Sequence, residues 1–346
     1  MSVVSKEENA PRASVLTLAA AIFVGIGIPL LASSPTVSGI ALAIGFILLL
    51  AAPGRLHLAS DLARSVRTPL GLAVLLTFIV WLPGVVDSPD FGRSIGVWGR
   101  MAGFVLVAAL IHHFLARGAL DSCLRALIVA SLVCALIALL GLYAASPVYG
   151  LFRGKGWVEV NAAQILKYYG SALAGLTPVV LWAGFRLGGR WRIAALVNLP
   201  AAVVLIFAVD SLAGLLGLAA GVAVGAVVGI CQCWHLLRGH AAALFLVLLA
   251  LLLILAFAWV LSNLPAPPAT EQIVDGIYRG PVDTTLPVSL IDAHRQYIWG
   301  FAFDKALAEP YFGHGIDVSN YLPGASVLIE EFNQTFIPSH PHSWLL

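Results

Sequence analysis

The sequence has little charge. Of its 346 residues only 10% are charged, whereas 60% are hydrophobic, and the mean hydropathy is +0.96. A soluble chain needs more polar surface than this to cover its own core, so the composition argues against a water-soluble enzyme. The net charge of +2 comes mostly from Lys and Arg in short loops and gives no indication of nucleic-acid binding.

Cysteine is scarce as well. All four cysteines lie in predicted helices or near their cytoplasmic ends, where thiols stay reduced. They are Cys123, Cys134, Cys231 and Cys233. Cys231 and Cys233 form a conceivable metal site with His235, but two thiols and one imidazole are a weak ligand set. We therefore expect neither a metal nor another cofactor.

Internal symmetry is also missing. No repeat with a period of about 20–50 residues is present, and the two halves do not mirror each other in loop length or broken helices. Many secondary transporters show such symmetry, so its absence weakens a transporter interpretation without excluding it. No convincing cleavage site follows the first apolar run, which we therefore keep as a membrane helix.

Apolar runs of membrane-spanning length are abundant. A spanning helix needs about 20 mostly apolar residues, and nine windows meet this requirement. They lie at about residues 15–32, 36–52, 69–86, 97–116, 124–145, 167–187, 193–210, 211–233 and 240–262. The run from Ile193 to Cys233 is too long for one crossing at about 1.5 Å per residue, so we divide it at Asp210-Ser211.

Lys and Arg in the short loops predict the orientation. If the N-terminus is cytoplasmic, the connections richest in these residues fall on the cytoplasmic side. They hold Arg55, Arg64, Arg67, Arg117, Arg125, Arg186, Arg190, Arg192 and Arg238. The opposite loops hold far fewer, namely Arg93, Arg153 and Lys155. This bias places the segment after the ninth helix on the external face.

The sequence changes character at Asn263, where a proline-rich stretch ends the ninth helix and polar sequence follows. We therefore predict an all-α, polytopic membrane bundle over residues 1–262 and an external loop domain with short helices over residues 263–341. Residues 342–346 resemble the start of a tenth membrane helix, which we expect to continue past Leu346.

A helix is predicted within the external loop, because residues 290–308 carry apolar side chains at helical spacing and Pro310 follows them. We expect it to lie at the membrane interface, since its aromatic residues are of types that favour that depth. These residues are Tyr297, Trp299, Phe301 and Phe303.

Cations at the external face form the first candidate site. They include Arg93, Arg100, Arg153, Lys155, Lys167, Arg279, Arg295 and Lys305. Arg100 and Lys167 stand at the starts of the fourth and sixth spans, where the positive-inside rule disfavours cations. An anionic ligand such as a lipid-linked pyrophosphate would explain them. Snorkelling to lipid headgroups is the alternative.

A second candidate is the segment from His340 to Ser343, where the polar loop meets a membrane helix. A histidine beside a proline suits a positioned general base, although interfacial structural histidines, or a metal pair completed by His294 or His314, are alternatives. Arg295 has two roles open to it, binding a diphosphate or pairing with Asp292 or Glu309. Asp210 caps the eighth helix in the simpler reading.

These features together resemble the O-antigen ligase family. A long external loop follows about nine helices, and three motifs lie in order within it. The motifs are Arg295-Gln-Tyr-Ile-Trp299, Pro310-Tyr-Phe-Gly313-His-Gly315 and His340-Pro-His342-Ser343, with a weaker match at Arg153-Gly-Lys-Gly-Trp157. The motifs cover most of residues 150–346, and only topology covers the rest.

The resemblance implies a multi-pass protein of the bacterial inner membrane with a periplasmic loop. It implies inverting, metal-independent transfer of a glycan from undecaprenyl pyrophosphate to a sugar hydroxyl of lipid A core. The family's essential histidine corresponds to His342 and its loop arginine to Arg295, while His340 and Asp210 are supporting residues. Expected partners are the lipid-linked donor, the lipid A core acceptor and membrane lipids.

One departure concerns the phosphate site. The family's Ser-Arg pair at the eighth helix reads Ser211-Leu212 here, so another cation is expected to replace that arginine. Arg153, Lys155, Lys167 and Arg100 are the candidates. Two other functions stay open, a polymerase of the same family and a non-enzymatic transporter of glycan or lipid carrier.

Overall fold

A computed structural model describes residues 14–52, 58–116, 118–209, 211–233, 240–265, 272–282, 284–288 and 291–337. Most of this part of the chain is helical. The helices are α1 (Val15–Gly27), α2 (Pro35–Ala51), α3 (Leu58–Val66), α4 (Pro69–Val86), α5 (Phe91–Ala116), α6 (Leu120–Tyr143), α7 (Ser146–Phe152), α8 (Ala162–Ile165), α9 (Lys167–Leu187), α10 (Gly189–Ala208), α11 (Leu212–Cys233), α12 (His240–Ser262) and α13 (Ala293–Ala308).

Each predicted membrane window contains one helix. Six stretches of the described chain are helical, long and apolar enough to cross a membrane. They are Val15–Ala32, Pro69–Val86, Phe91–Ala116, Leu120–Tyr143, Lys167–Leu187 and Gly189–Ala208. The chain is therefore a mostly helical, membrane-embedded protein. The count of nine crossings stays a prediction, because the other three windows, which hold α2, α11 and α12, are not among these six stretches. Pro35–Ala51 and, within α12, Val247–Ser262 are apolar but shorter.

The helix of the fourth predicted span begins before its apolar window. α5 begins at Phe91, six residues before the predicted start of the fourth span. At about 3.6 residues per turn, Arg100 lies in the third turn of this helix and not at its beginning. The helix begins here because Asp90 caps it: its carboxylate accepts a hydrogen bond from the backbone N–H of Arg93 at 2.9 Å.

The described chain forms two compact units. The first combines Met1–Leu62 with Val107–Arg238, and the second combines Ala63–Leu106 with Gly239–Leu346. These units group residues that contact one another. The boundary predicted at residue 262 instead separates membrane helices from polar sequence, so the two divisions describe different properties. Cys123 and Cys134, both in the first unit, are free and buried.

The first unit is built around α6, which packs against α1, α7, α9 and α10. Small residues allow the helices to approach closely, as membrane helices commonly do. At Gly25 of α1, an added Cβ would lie 2.4 Å from the backbone oxygen of Cys123 in α6. Buried Leu124, Ile128 and Ala135 lie along α6 at spacings that keep one stripe in the core.

The polar part of the second unit contains a small sheet, which the all-α prediction missed. Strands β1 (Ile273–Val274), β2 (Ile277–Tyr278), β3 (Leu328–Ile329) and β4 (Gln334–Thr335) lie in that order. The middle pair is parallel and the outer pairs are antiparallel. Asp275 and Gly276 join β1 to β2, and their φ angles of 55° and 75° are those of a two-residue hairpin turn.

Helix α13 packs on this sheet and confirms the helix predicted over residues 290–308. Asp292 caps it, because its carboxylate accepts a hydrogen bond from the backbone N–H of Arg295 at 2.9 Å. Tyr297 and Phe301 are buried in a core with Ile329 and Phe336. Two of the four aromatic residues that suggested a position at the membrane interface are therefore buried in the protein. The interfacial position of the helix stays a prediction.

Candidate functional site

The loop after α13 contains two glycines with positive φ angles. Gly313 and Gly315 have φ angles of 65° and 105°, which residues other than glycine rarely adopt. A Cβ at Gly315 would lie 2.7 Å from the side chains of Ser88 and Ser94, so this position also requires glycine for space. The backbone conformation of this loop therefore requires the two glycines of the motif Pro310-Tyr-Phe-Gly313-His-Gly315.

Ser94, in the first turn of α5, holds the loop by two hydrogen bonds to one residue. Its Oγ accepts from the N–H of Ile316 at 2.6 Å and donates to the carbonyl of Ile316 at 3.2 Å. The neighbouring Arg93 forms an ion pair with Asp317. Two consecutive residues of α5 thus fix the position of the loop.

The loop closes one side of a cavity of about 640 Å³ in the second unit. Val80 and Trp81 of α4 and the C-terminal half of α13 form other walls, and Ile337 contributes at the end of the described chain. This volume is within the range of about 300–1,000 Å³ that is typical of small-molecule sites. The acidic and basic lining residues are Lys305, Glu309, His314 and Asp317.

His314 is held in a defined orientation inside this lining. Its Nε2 lies 3.0 Å from the backbone oxygen of Lys305. A carbonyl oxygen only accepts, so Nε2 carries the proton and Nδ1 of the neutral ring is the acceptor. The arrangement leaves one imidazole nitrogen able to accept a hydrogen bond or a proton.

Lys305 supplies a cation to the same cavity. Its Nζ lies 3.9 Å from the carboxylate of Asp304 and 5.3 Å from the ring centroid of Phe301. The side chain is 29% exposed, so the ammonium keeps access to water and to a ligand. The contact with Asp304 is long, and a ligand hydrogen bond can replace it.

Arg295 lies on α13, as Lys305 does, and on the helix face that carries two cavity-lining alanines. Ala302 and Ala306, which line the cavity, follow it by seven and eleven residues, spacings that return to one face of a helix. The axial rise from Arg295 to Ala302 is about 10 Å. Its Nε lies 3.0 Å from Asp292, which matches the pairing role considered for it, and its side chain is 56% exposed. Diphosphate binding stays a prediction.

In the first unit, Arg153 directly follows α7, which is anchored by two hydrogen bonds. The hydroxyl of Tyr149 donates to the carbonyl of Ala32 at 2.7 Å, and Ser33 Oγ donates to the carbonyl of Phe152 at 3.0 Å. The Nε of Arg153 is buried and has no hydrogen-bond partner among the described residues. Such an atom is a reason to expect a polar ligand or water there.

Lys155 and Lys167 are exposed in the same unit. Lys155 lies between Gly154 and Gly156, whose φ angles are 72° and 82°, and its N–H donates to the carbonyl of Gly150 at 3.0 Å. Lys167 is the first residue of α9. Neither lysine forms an ion pair with a residue in the described ranges.

The predicted site residues do not all fall in one unit. Arg153, Lys155 and Lys167 belong to the first, whereas Arg100 and Arg295 belong to the second. His340, His342 and Asp210 lie outside the described residues, as do the side chains of Cys231, Cys233 and His235. Ser211 caps α11, since its Oγ accepts from the N–H of Gly214 at 3.3 Å.

The described ranges hold no group of three or more His, Cys, Asp or Glu residues arranged to bind a metal. His294, weighed with His314 as a metal ligand, is held elsewhere. Its Nε2 lies 3.1 Å from the backbone oxygen of Thr335, and its ring packs 5.1 Å from that of Phe332.

Sequence reasoning missed two residues that organise this region. Gln296 is fully buried, and its side chain bonds the backbone of Leu286 and Ile291. His314 was considered only as a metal ligand, although it stands between two glycines, which is a signal of a constrained loop. Neither residue belongs to a motif that indicates hydrogen bonding by itself.

The fold and this cavity define a helical membrane protein with a folded polar segment. No protein-family model, curated protein or solved structure matches the chain.

Proposed function

We propose that this protein is a glycosyltransferase of the bacterial inner membrane that moves a glycan from undecaprenyl pyrophosphate to a sugar hydroxyl of lipid A core. The observation that supports this most is the cavity of about 640 Å³ in the polar segment. The cavity contains a cation, Lys305, and an oriented imidazole, His314. Helix α13, which forms one of its walls, also carries Arg295. An apolar lining with a few placed polar groups is typical of ligand-binding sites.

In the proposed reaction, His342 accepts the proton of the acceptor hydroxyl. The hydroxyl oxygen attacks the anomeric carbon of the donor sugar from the face opposite the pyrophosphate, and the bond from that carbon to the phosphate oxygen breaks. Undecaprenyl pyrophosphate leaves with the bonding electrons, and the configuration inverts. Arg295 neutralises the charge that develops on the leaving group.

The distance along the chain is compatible with this assignment. His342 follows Ile337, a cavity-lining residue, by five positions. Five residues span at most about 18 Å when fully extended. The proposed base is therefore within chain reach of the cavity.

The cations of the first unit are proposed to bind the pyrophosphate as well. Arg153 is the strongest candidate to replace the arginine absent at Leu212, because its Nε is buried without a partner in the described chain. Lys155 and Lys167 add positive charge in exposed positions. Arg100 is a weaker candidate, since it lies in the third turn of α5.

The test is a transfer assay with purified protein in nanodiscs, undecaprenyl-pyrophosphate glycan and lipid A core, without added metal. His342→Ala should lower the rate by about 10²–10⁴, the usual contribution of a general base. His112→Ala is the control, because His112 is exposed and lies near the C-terminal end of α5, in the first unit and not in the unit that contains the cavity. Transfer by His342→Ala at the wild-type rate would refute the assignment of the base.

The choice of acceptor separates the competing functions. Lipid A core as the only acceptor supports a ligase, whereas elongation of a second lipid-linked glycan supports a polymerase. A transporter would move labelled lipid-linked glycan across vesicles without forming a new glycosidic bond.

A further inference from the structure

We propose that the cavity lined by Lys305 and His314 binds an uncharged sugar unit of the glycan, with these two side chains bonding its hydroxyl groups and Trp81 and Tyr311 contacting its ring. This inference rests on the proposed function, because it assigns the substrate portion that the cavity holds.

The polar lining offers both donors and acceptors. The Lys305 ammonium is a donor, the Glu309 carboxylate is an acceptor, and Nδ1 of His314 is an acceptor because Nε2 is committed to the carbonyl of Lys305. Ser319 Oγ can act in either way. Sugar hydroxyl groups also both donate and accept, so this mixed lining complements a sugar.

The aromatic residues of the lining match the apolar faces of a sugar ring. Trp81 lines the cavity from α4, and Tyr311 and Phe312 line it from the loop. Tyr311 is 84% exposed, although burying an aromatic ring is normally favourable. A bound sugar would cover part of this ring through contacts with its C–H groups.

The balance of charge disfavours an anionic ligand. Lys305 is accompanied by the carboxylates of Asp304 and Glu309, and the carboxylate of Asp317 is already paired with Arg93. A phosphate in this cavity would face at least one uncompensated carboxylate, which costs free energy. An uncharged sugar carries no such cost.

Binding is tested without turnover by saturation-transfer NMR on the purified protein in deuterated detergent. The probes are methyl α-glucoside, methyl α-galactoside, N-acetylglucosamine and glucose 6-phosphate. At least one uncharged sugar should give a signal that the phosphorylated sugar does not exceed. No signal from any uncharged sugar, or a stronger one from glucose 6-phosphate, would overturn the inference.

Two variants with matched controls locate the binding site. His314→Gln keeps an N–H for the carbonyl of Lys305 but replaces the Nδ1 acceptor with an amide oxygen in a different position, and it removes the rigid ring. We therefore expect binding to weaken about fivefold or more. His294→Gln is its control, because His294 also faces a backbone carbonyl but does not line the cavity. Tyr311→Ala should weaken binding similarly, whereas Tyr143→Ala, at a residue 67% exposed, should not.

Both cavity variants can be checked for folding by their melting curves, and Tyr311 is too exposed for its truncation to disturb the core. Binding unchanged in both variants would overturn the inference.

Transfer kinetics separate this inference from the proposed function. In His314→Gln the KM for donor or acceptor should rise more than kcat falls. Normal transfer with unchanged KM would overturn the sugar site and leave the glycosyltransferase standing. Sugar binding that depends on His314, in a protein that transfers no glycan, would refute the enzyme and leave the binding site.

Discussion

Arg93 and Asp317 are 224 residues apart in the sequence, and their side chains form an ion pair at 2.9 Å. The Nε of Arg93 also donates to the backbone carbonyl of Asp317 at 2.7 Å, and its guanidinium lies 5.5 Å from the ring centroid of Tyr321. Asp317 has a φ of 59°, a conformation that Asp and Asn tolerate better than most residues. Arg93 therefore holds the loop beside His314.

The first prediction concerns this pair. Arg93→Gln and Asp317→Asn should each reduce protection of the loop, and their effects should be less than additive, so that the coupling energy differs from zero. Hydrogen exchange at the Ile316 amide measures it in a double-mutant cycle. Asn preserves the backbone preference at position 317, so the cycle isolates the charge. A coupling energy of zero would show that the pair does not hold the loop.

A second prediction concerns Gly315. Gly315→Ala should destabilise the second unit by about 1–3 kcal/mol from the backbone conformation alone, and by more from the contact with Ser88 and Ser94. Gly99→Ala is the control, because Gly99 is helical and no atom lies within 4 Å of the added Cβ. That change should leave stability equal or slightly higher. Thermal unfolding in detergent compares the two, and equal melting temperatures would contradict the strained loop.

The helices of membrane-spanning length were predictable because each needs only a local apolar run, whereas the short helices α3, α7 and α8 were not predicted. Every predicted window contains a helix, and the helix over residues 290–308 is present as α13. The small sheet was not predicted, because strands of two residues show no alternation. Its one local signal is Asp275-Gly276, a dipeptide typical of two-residue hairpins.

The site was predictable only in part. The Pro310–Gly315 motif was recognised, but its cause is a close approach of Gly315 to Ser88 and Ser94. That contact joins residues more than 200 positions apart, and local sequence contains no information about it. The pairing of Arg295 with Asp292 was foreseeable, because residues three apart on a helix are neighbours.

A third prediction concerns Gln296, whose amide bonds Leu286 and Ile291. Its Nε2 donates to their carbonyls at 2.8 and 2.9 Å, and its Oε1 accepts from the Leu286 N–H at 3.1 Å. Gln296→Leu leaves these buried groups unpaired, so we expect a loss of about 1–3 kcal/mol. Gln334→Leu, on an exposed strand residue, should cost less than about 0.5 kcal/mol. Denaturant unfolding is the measurement, and similar losses in both would contradict the role of Gln296.

A fourth prediction concerns Arg295. Arg295→Ala should lower kcat/KM for transfer roughly 10–150-fold, the value of a charge-assisted hydrogen bond, while stability changes little because the side chain is exposed. Arg295→Lys should restore little activity, since a planar fork suits a diphosphate better than an ammonium. Arg186→Ala is the matched control, because Arg186 is 48% exposed, pairs with Asp121 and is not one of the candidate cations. Full rescue by Lys would indicate a simple effect of charge.

The last prediction concerns Tyr149 and pH. Burial raises the pKa of Tyr149 from about 10 to about 12, although the nearby Arg153 opposes the shift. The unfolded chain therefore loses this proton at lower pH than the folded protein does. The stabilisation is complete below about pH 10 and is lost as the pH rises toward 12.

Tyr149→Phe should flatten this decline, and it should cost about 0.5–1.5 kcal/mol at neutral pH, because the Ala32 carbonyl loses its donor. Unfolding curves between pH 7 and pH 12 test this, with Tyr143→Phe as the exposed control. A decline of the same size in wild type and Tyr149→Phe would show that this hydroxyl is not responsible.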